Sequence, residues 1–339
     1  MAFNILLFSA GLILAGMVLK DVFDTVVVPG GSRASIKVAH RLVVIMLPLW
    51  KQARGRRRGL STAFAPFVLV SSFIVWMTLL ALAFGLMAFA ARAHFQPPLP
   101  GFGEGVYLAG SSLVTVGLSQ VNPAGLARWV ILGAGFCGLA VMTMAVTYLL
   151  EVQSSIARRD TGIIKLNTSA GEPPCALTLL ERFAALHNQA SLRDVLEEAR
   201  TWCATVRQSH TSHPSLIYFL SVGTGAGWPA ALGVALDLAL ISEHLLDMDS
   251  LYGPSVLLRE EGARMARELA AMINIQRKEA HTSVSELQQL CRRLETSGYV
   301  LRKNPNLAAM AEQRADHISC VNALADQLGR PTTVLVRQS

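Results

Sequence analysis

His210 and His213 stand at a spacing that metal ligands use, and Gly223-Thr224-Gly225-Ala226-Gly227 has the glycine density of a phosphate-wrapping loop. Neither pattern is complete. No further cluster of ligands accompanies the two histidines, so they read as a solvated loop before Pro214. The glycine run lacks the dinucleotide spacing, a preceding strand and a suitably placed acid, and reads as a flexible turn. Five cysteines (Cys137, Cys175, Cys203, Cys291, Cys320) are dispersed without a CxxC pair, which favours reduced thiols over disulfides or zinc. No Ser/His/Asp, Cys/His or paired-carboxylate constellation supports an enzyme, and nothing calls for a cofactor.

The remaining chemistry has to be sought in lipid. Of 339 residues 52% are hydrophobic and only 16% charged, well below the quarter or so typical of soluble domains. The charge is divided: residues 1–160 carry 13 Lys/Arg and 5 Asp/Glu, residues 161–339 carry 17 and 18. Basic character confined to the membrane half is what a cytoplasmic membrane face produces, and it argues against a nucleic-acid partner. Phe3 to Leu19 is uncharged over 17 residues, close to the roughly 20 that cross a bilayer, and reads as a first span rather than a cleaved signal peptide. Gly59 to Ala91 is uncharged over 33 residues, with a helix expected from near Pro66 to near Arg92. Trp129 to Leu150 gives a third span of 22 residues. Leu42 to Trp50 reads as an interfacial amphipathic segment.

Loop charges orient these spans. Nine basic residues against two acids lie between Lys20 and Arg58, including Arg54, Arg56, Arg57 and Arg58, whereas Ala93 to Gly125 holds no Lys or Arg. The first loop is therefore expected in the cytoplasm, with the N-terminus outside, the C-terminus inside, and the chain multi-pass in the cell membrane.

Between the second and third spans, prolines at 97, 98 and 100 keep His94 to Pro100 out of a helix. Gly105 to Val114 is apolar but too short to cross, and irregular backbone at membrane depth survives only where it lines a cavity or is buried in protein. A re-entrant loop and an ordinary external loop both satisfy hydropathy. A helix, a short second helix, Thr115-Val116-Gly117, a proline six residues beyond Gly117, and a glycine-bearing third helix together resemble the pore domain of the tetrameric potassium-channel superfamily over residues 60–155. The family filter reads Thr-Val-Gly-Tyr-Gly-Asp.

The resemblance implies an outer helix, pore helix, filter and inner helix, with a homotetramer in the bilayer as the assembly. Backbone carbonyls of Thr115, Val116, Gly117 and Leu118, with the Thr115 hydroxyl, would then replace the hydration shell of permeant potassium, or of sodium in a less selective filter. Leu118 stands where the family has an aromatic residue and Ser119 where it has a second glycine. Alternate filter residues take left-handed angles costing a non-glycine residue about 1–2 kcal/mol, so strain is expected at Ser119. Gln120 replaces the acid at the pore mouth. A selective, widened or collapsed filter all fit these departures. Gly135 and Gly138 fall where the family's inner helix carries a hinge glycine, and equally suit close helix packing. Glu104 reads as a solvated or first-turn helix charge.

After Glu151 the third span is expected to continue through Arg158-Arg159-Asp160, with Gly162 to Pro174 as a linker. Apolar residues then recur at helical spacing: Leu177, Leu180, Phe183 and Leu186; Leu192, Val195, Leu196, Ala199, Cys203 and Val206; Leu232, Leu236 and Leu240. Trp228 to Leu246 is nearly hydrophobic enough to span. However, Asp237 and Glu243 inside it would each cost roughly 2.5–3.5 kcal/mol at the bilayer centre, so a buried soluble helix is expected. The expected architecture is an all-α membrane protein: an N-terminal span and basic segment (1–58), a pore domain (59–160) and a cytoplasmic helical domain (161–339). Cation conduction leads the functional expectations. A non-selective or non-conducting pore homologue, or a membrane-anchored signalling or scaffold protein acting through its helical domain, are the alternatives.

Overall fold

Charge-free apolar runs leave the backbone no partner but itself in lipid, and helices follow wherever the sequence supplies such a run. The computed structural model describes residues 1–28, 38, 41–42, 45–46, 58–221, 225–277 and 279–337, with side chains of the second apolar run from residue 66. The protein is 77% helical, and three of the described helices are long and apolar enough to cross a membrane. They are α1 (Ala2–Val26), α2 (Arg58–Ala90) and α4 (Leu126–Ala170), with the short α3 (Phe102–Leu113) between the last two. Of the segment Leu42–Trp50 only Leu42, Ile45 and Met46 are among the described residues; the arginines at 54, 56 and 57 and most of the first loop lie outside them.

Two boundaries differ from expectation. α2 begins at Arg58 rather than near Pro66, because the proline removes a single N–H donor and the helix carries it internally. α4 runs to Ala170, so the linker expected from Gly162 is helix. Gly162 is a packing position there: a Cβ on it would lie 2.1 Å from Trp202 Cδ1. The helix stops at Gly171, whose φ of +76° ends it ahead of Pro173 and Pro174.

The chain forms two compact units, Met1–Val152 and Gln153–Ser339. In the first, α1 buries Gly11, Ala15, Val18, Asp21 and Val22 along one face. A Cβ on Gly11 would meet the Ala83 carbonyl at 2.5 Å, and the Asp21 carboxylate accepts from Trp76 Nε1 at 2.8 Å, so α1 runs antiparallel to α2. Asp21 is fully buried and also accepts from the Val38 N–H at 3.2 Å, which tolerates an acid on a face that is otherwise apolar.

The second unit is built around α7 (Gly227–His244), in which Gly227 to Ser242 are all buried. A helix apolar on every side has to be a core helix, and α5 (Ala176–Ala185), α6 (Leu192–Ser212), α8 (Asp249–Met272) and α10 (Leu307–Leu328) pack on it. Its one buried acid, Asp237, receives Arg314 Nε at 2.8 Å and Nη2 at 3.2 Å, with His317 Nε2 at 3.6 Å. Burial alone would push Asp237 up, but Arg314 and His317 outweigh it and hold the carboxyl below its ordinary value. Arg207 bridges α6 to Glu261 of α8 at 2.7 Å, and Arg259 bridges α8 to Glu243 of α7 at 2.7 Å. Arg293 of α9 (Val284–Thr296) forks onto Glu181 of α5 at 2.8 and 2.7 Å. Of the glycine run, residues 223–224 lie outside the described residues, and Gly227 opens α7 with φ +70°.

The structure separates the two histidines: His213 follows the end of α6 and is part-exposed, whereas His210 is not in a solvated loop. His210 lies within α6 and is 1% exposed, its Nδ1 2.8 Å from the Val206 carbonyl and its ring 5.7 Å from that of Trp228. Burial, aided by the nearby Arg159 charge, pushes His210 down to about 3. The unfolded chain binds a proton at this residue near pH 6.5 that the folded chain refuses, so stability is complete above that pH and declines as pH falls toward 3. His210→Phe should therefore flatten the decline between pH 6.5 and pH 5 by on the order of 2 kcal/mol. Denaturant unfolding followed by tryptophan fluorescence reads this, and identical pH slopes for variant and parent would refute it.

Candidate functional site

The segment between α2 and α4 starts and ends at the same place. β1 (Phe95–Gln96) pairs antiparallel with β2 (Asn122–Pro123), Phe95 opposite Pro123 and Gln96 opposite Asn122. This two-residue ladder is the one sheet among the described residues, and so departs from a purely helical fold. The Ala124 N–H donates to the His94 carbonyl at 2.7 Å beside it. Residues 97–121 thus make a closed excursion whose stem is hydrogen-bonded, and buried Phe95 and Leu99 anchor its rising limb.

Within the excursion α3 lies antiparallel along α2. A Cβ on Gly85 would touch Val106 Cγ2 at 2.6 Å, and one on Gly105 would come within 3.1 Å of the Gly85 carbonyl. Small residues at the crossing allow that approach. Glu104 sits in the first turn of α3, where the helix dipole favours an acid. The α3 face that packs inward is Leu108, Ala109, Ser111 and Leu113.

At the C-terminal end of α3 the chain turns into the residues singled out by sequence. The Thr115 N–H donates to the Ser112 carbonyl at 3.0 Å, and the N–H groups of Val116 and Gly117 both donate to the Ser111 carbonyl, at 2.9 and 3.1 Å. The Leu118 N–H donates to Ser111 Oγ at 2.7 Å. Four consecutive amides are therefore held by two serines. No hydrogen bond among the described residues ends on the carbonyl oxygens of Thr115, Val116, Gly117 or Leu118. Side chains 114–120 are all exposed in the single chain, between buried Leu113 and Val121. The negative end of the α3 dipole points into the same loop, which suits a cation rather than an anion.

The left-handed positions are Thr115 (φ +60°) and Gly117 (φ +69°), not Ser119. The expected strain at Ser119 is absent because its hydroxyl makes a local turn instead, accepting from the Val121 N–H at 3.0 Å and donating to the Val121 carbonyl at 2.6 Å. The cost of about 1–2 kcal/mol falls on Thr115, while Gly117 takes its angle freely. Gln120, next along, is exposed.

α4 packs behind this loop. A Cβ on Gly138 would lie 1.9 Å from the Leu113 carbonyl oxygen, and one on Gly135 3.5 Å from the Ser112 carbonyl. Gly138 is thus a contact point for the end of α3, and α4 is helical straight through both glycines. Trp129, Leu132, Phe136, Leu139, Val146 and Leu150 are exposed at spacings built from three and four residues, while Ala127, Val130, Ala134 and Val141 are buried opposite. No group of three or more His, Cys, Asp or Glu able to hold a metal occurs among the described residues. Comparison with family models, curated proteins and solved structures yields no match.

Gly138→Ala should destabilise the first unit by about 1–3 kcal/mol, because the atom it meets is backbone and cannot rotate away. Gly135→Ala, with an ordinary contact, should leave the melting temperature of the detergent-solubilised protein nearly unchanged. Equal losses for the two variants would remove the distinction.

Proposed function

We propose that the chain is one subunit of a homotetrameric cation channel in the cell membrane, passing potassium with weakened discrimination against sodium. The observation carrying this reading is the loop after α3, where four successive amides are occupied by Ser111 and Ser112 and the carbonyls of Thr115 to Leu118 are left free. Free carbonyls at the end of a helix dipole replace the water around a cation, and no residue needs to titrate or react. One loop supplies only one wall of an ion site, so the reading requires several copies, and fourfold closure follows the potassium-channel resemblance. The exposed apolar stripe on α4 supplies surface for lipid and for neighbouring copies.

Weakened selectivity rests on Leu118 and Ser119 rather than on serine strain. Leu118 brings bulk without a polar anchor, and the Ser119 turn onto Val121 shapes the outer end of the loop in place of the family's second glycine. Gln120 leaves the entrance uncharged. The cation-rich first loop against residues 93–125, which hold no Lys or Arg, favours an external N-terminus and a cytoplasmic second unit.

Purified protein in liposomes should pass potassium and, less readily, sodium, and Leu118→Tyr with Ser119→Gly should sharpen the preference. Strong potassium preference unchanged by that pair of substitutions would overturn the selectivity reading. A correctly assembled tetramer passing neither ion would favour a non-conducting homologue.

Mass measurement in mild detergent should give four copies, and a reporter at the C-terminus should be cytoplasmic. Monomers or dimers alone, or an external reporter, would overturn the assembly or the orientation respectively.

A further inference from the structure

The second unit contains a cleft of about 690 Å³, within the roughly 300–1,000 Å³ range of small-molecule sites. One wall is α10, where Arg314, Ile318 and Asn322 follow each other at four-residue intervals and so share a face. Arg337, near the end of the chain, and His281 and Glu286 line it as well. Arg337 is placed by its own bond to the Pro173 carbonyl and by Arg293 Nη1, which donates to the Arg337 carbonyl at 3.2 Å. Glu286 lies in the first turn of α9, whose N–H at that residue is capped by Ser283 Oγ at 3.1 Å. None of these residues belongs to the proposed conduction loop.

The chemistry of the lining is two-sided. Arg314 is 5% exposed, and Asp237 and Thr282 occupy one N–H on each of its three nitrogens. A guanidinium has five N–H groups, so both terminal nitrogens keep one to offer into the cleft. Arg314 and Arg337 supply cationic donors. Glu286 supplies an anionic acceptor, and the buried Asn322 Oδ1 has no hydrogen-bond partner. Asp237 is bonded to Arg314, and Glu286 lines the same cleft as Arg314 and Arg337, so the site carries charges of both signs. A simple anion would leave Glu286 and Asn322 Oδ1 unmatched. A simple cation would leave the guanidinium donors unmatched.

We propose that this cleft binds a free amino acid as its zwitterion, with the carboxylate on Arg314 and Arg337 and the ammonium on Glu286 and Asn322 Oδ1. Ile318, between the two polar positions of α10, gives the side chain an apolar contact. This goes beyond conduction and does not depend on it, because binding is read directly.

The test is titration calorimetry on the full-length protein in detergent with L-leucine, L-glutamine and L-arginine, beside 4-methylpentanoate and 3-methylbutylamine, which each keep one half of the leucine zwitterion. At least one amino acid should bind with saturation while both half-molecules fail. Asn322→Leu and Arg337→Gln should each weaken that binding about tenfold, the loss of one charge-assisted hydrogen bond. Arg314 is left intact because removing it strands buried Asp237. Equal binding of 4-methylpentanoate would overturn the zwitterion assignment, and absence of saturable binding by all three amino acids would overturn the site. Because the ligand series uses the unaltered protein, these outcomes stand even where a variant fails to fold.

Discussion

Irregular backbone beside apolar helices persists only if its N–H groups are taken, and in this protein that condition is met by Ser111 and Ser112. Ser111 is buried and serves three of the four amides from Thr115 to Leu118, two through its carbonyl and one through its hydroxyl. Because the amides turn toward α3, the carbonyls of the same residues are left without partners. The rest of the first unit fixes the place of α3: the Gly85–Gly105 crossing on one side, the Gly138 contact with Leu113 on another, and the β1–β2 ladder closing the stem. Remove α3 from that position and the four amides lose their acceptors together.

The two units handle polarity in opposite ways. The first leaves apolar side chains outward, as on α4 and along α1 at Phe3, Leu6 and Ile13, and hides its few polar groups in matched pairs such as Asp21 with Trp76. That is the arrangement a lipid surround stabilises, since apolar surface costs nothing there and an unmatched carboxylate costs several kcal/mol. The second unit puts its most apolar helix at the centre and its charges around it. Asp237, the exception on α7, is tolerated because Arg314 reaches it with two hydrogen bonds, and breaking one partner of such a pair typically costs about 3–5 kcal/mol.

The same buried pair prepares the neighbouring cleft. Asp237 fixes the Arg314 guanidinium in one orientation, so its remaining donors are aimed without the entropy cost of ordering a long side chain on binding. The C-terminal segment completes the wall through Thr333, whose hydroxyl approaches the Pro174 carbonyl at 3.4 Å, and through Leu335, whose carbonyl accepts from Cys175 Sγ at 3.4 Å. End and beginning of the second unit therefore meet at one place.

Three membrane-length helices, the helical character of the second unit and the burial of Trp228 to Leu246 were legible from residue order, because hydropathy and 3.6-residue periodicity are properties of a local window. The Thr115–Gln120 segment was singled out by its resemblance to a family's filter motif, which no local window of hydropathy supplies. Where polar groups find partners is a different kind of information. Asp237 and Arg314 lie 77 residues apart, and Trp76 lies 55 from Asp21, so no window contains both members. Gly162 opens the expected linker by sequence but packs on Trp202 within a helix, and His210 reads as solvated although α6 turns it toward Trp228. Ser119 carried a strain inferred from position, and the strain moved to Thr115 because a serine hydroxyl can bond its own turn when the geometry allows it. Residue order determined which segments must leave water; tertiary structure decided which polar atoms meet, because hydrogen bonds and ion pairs act over about 3 Å between residues that only the folded chain brings together.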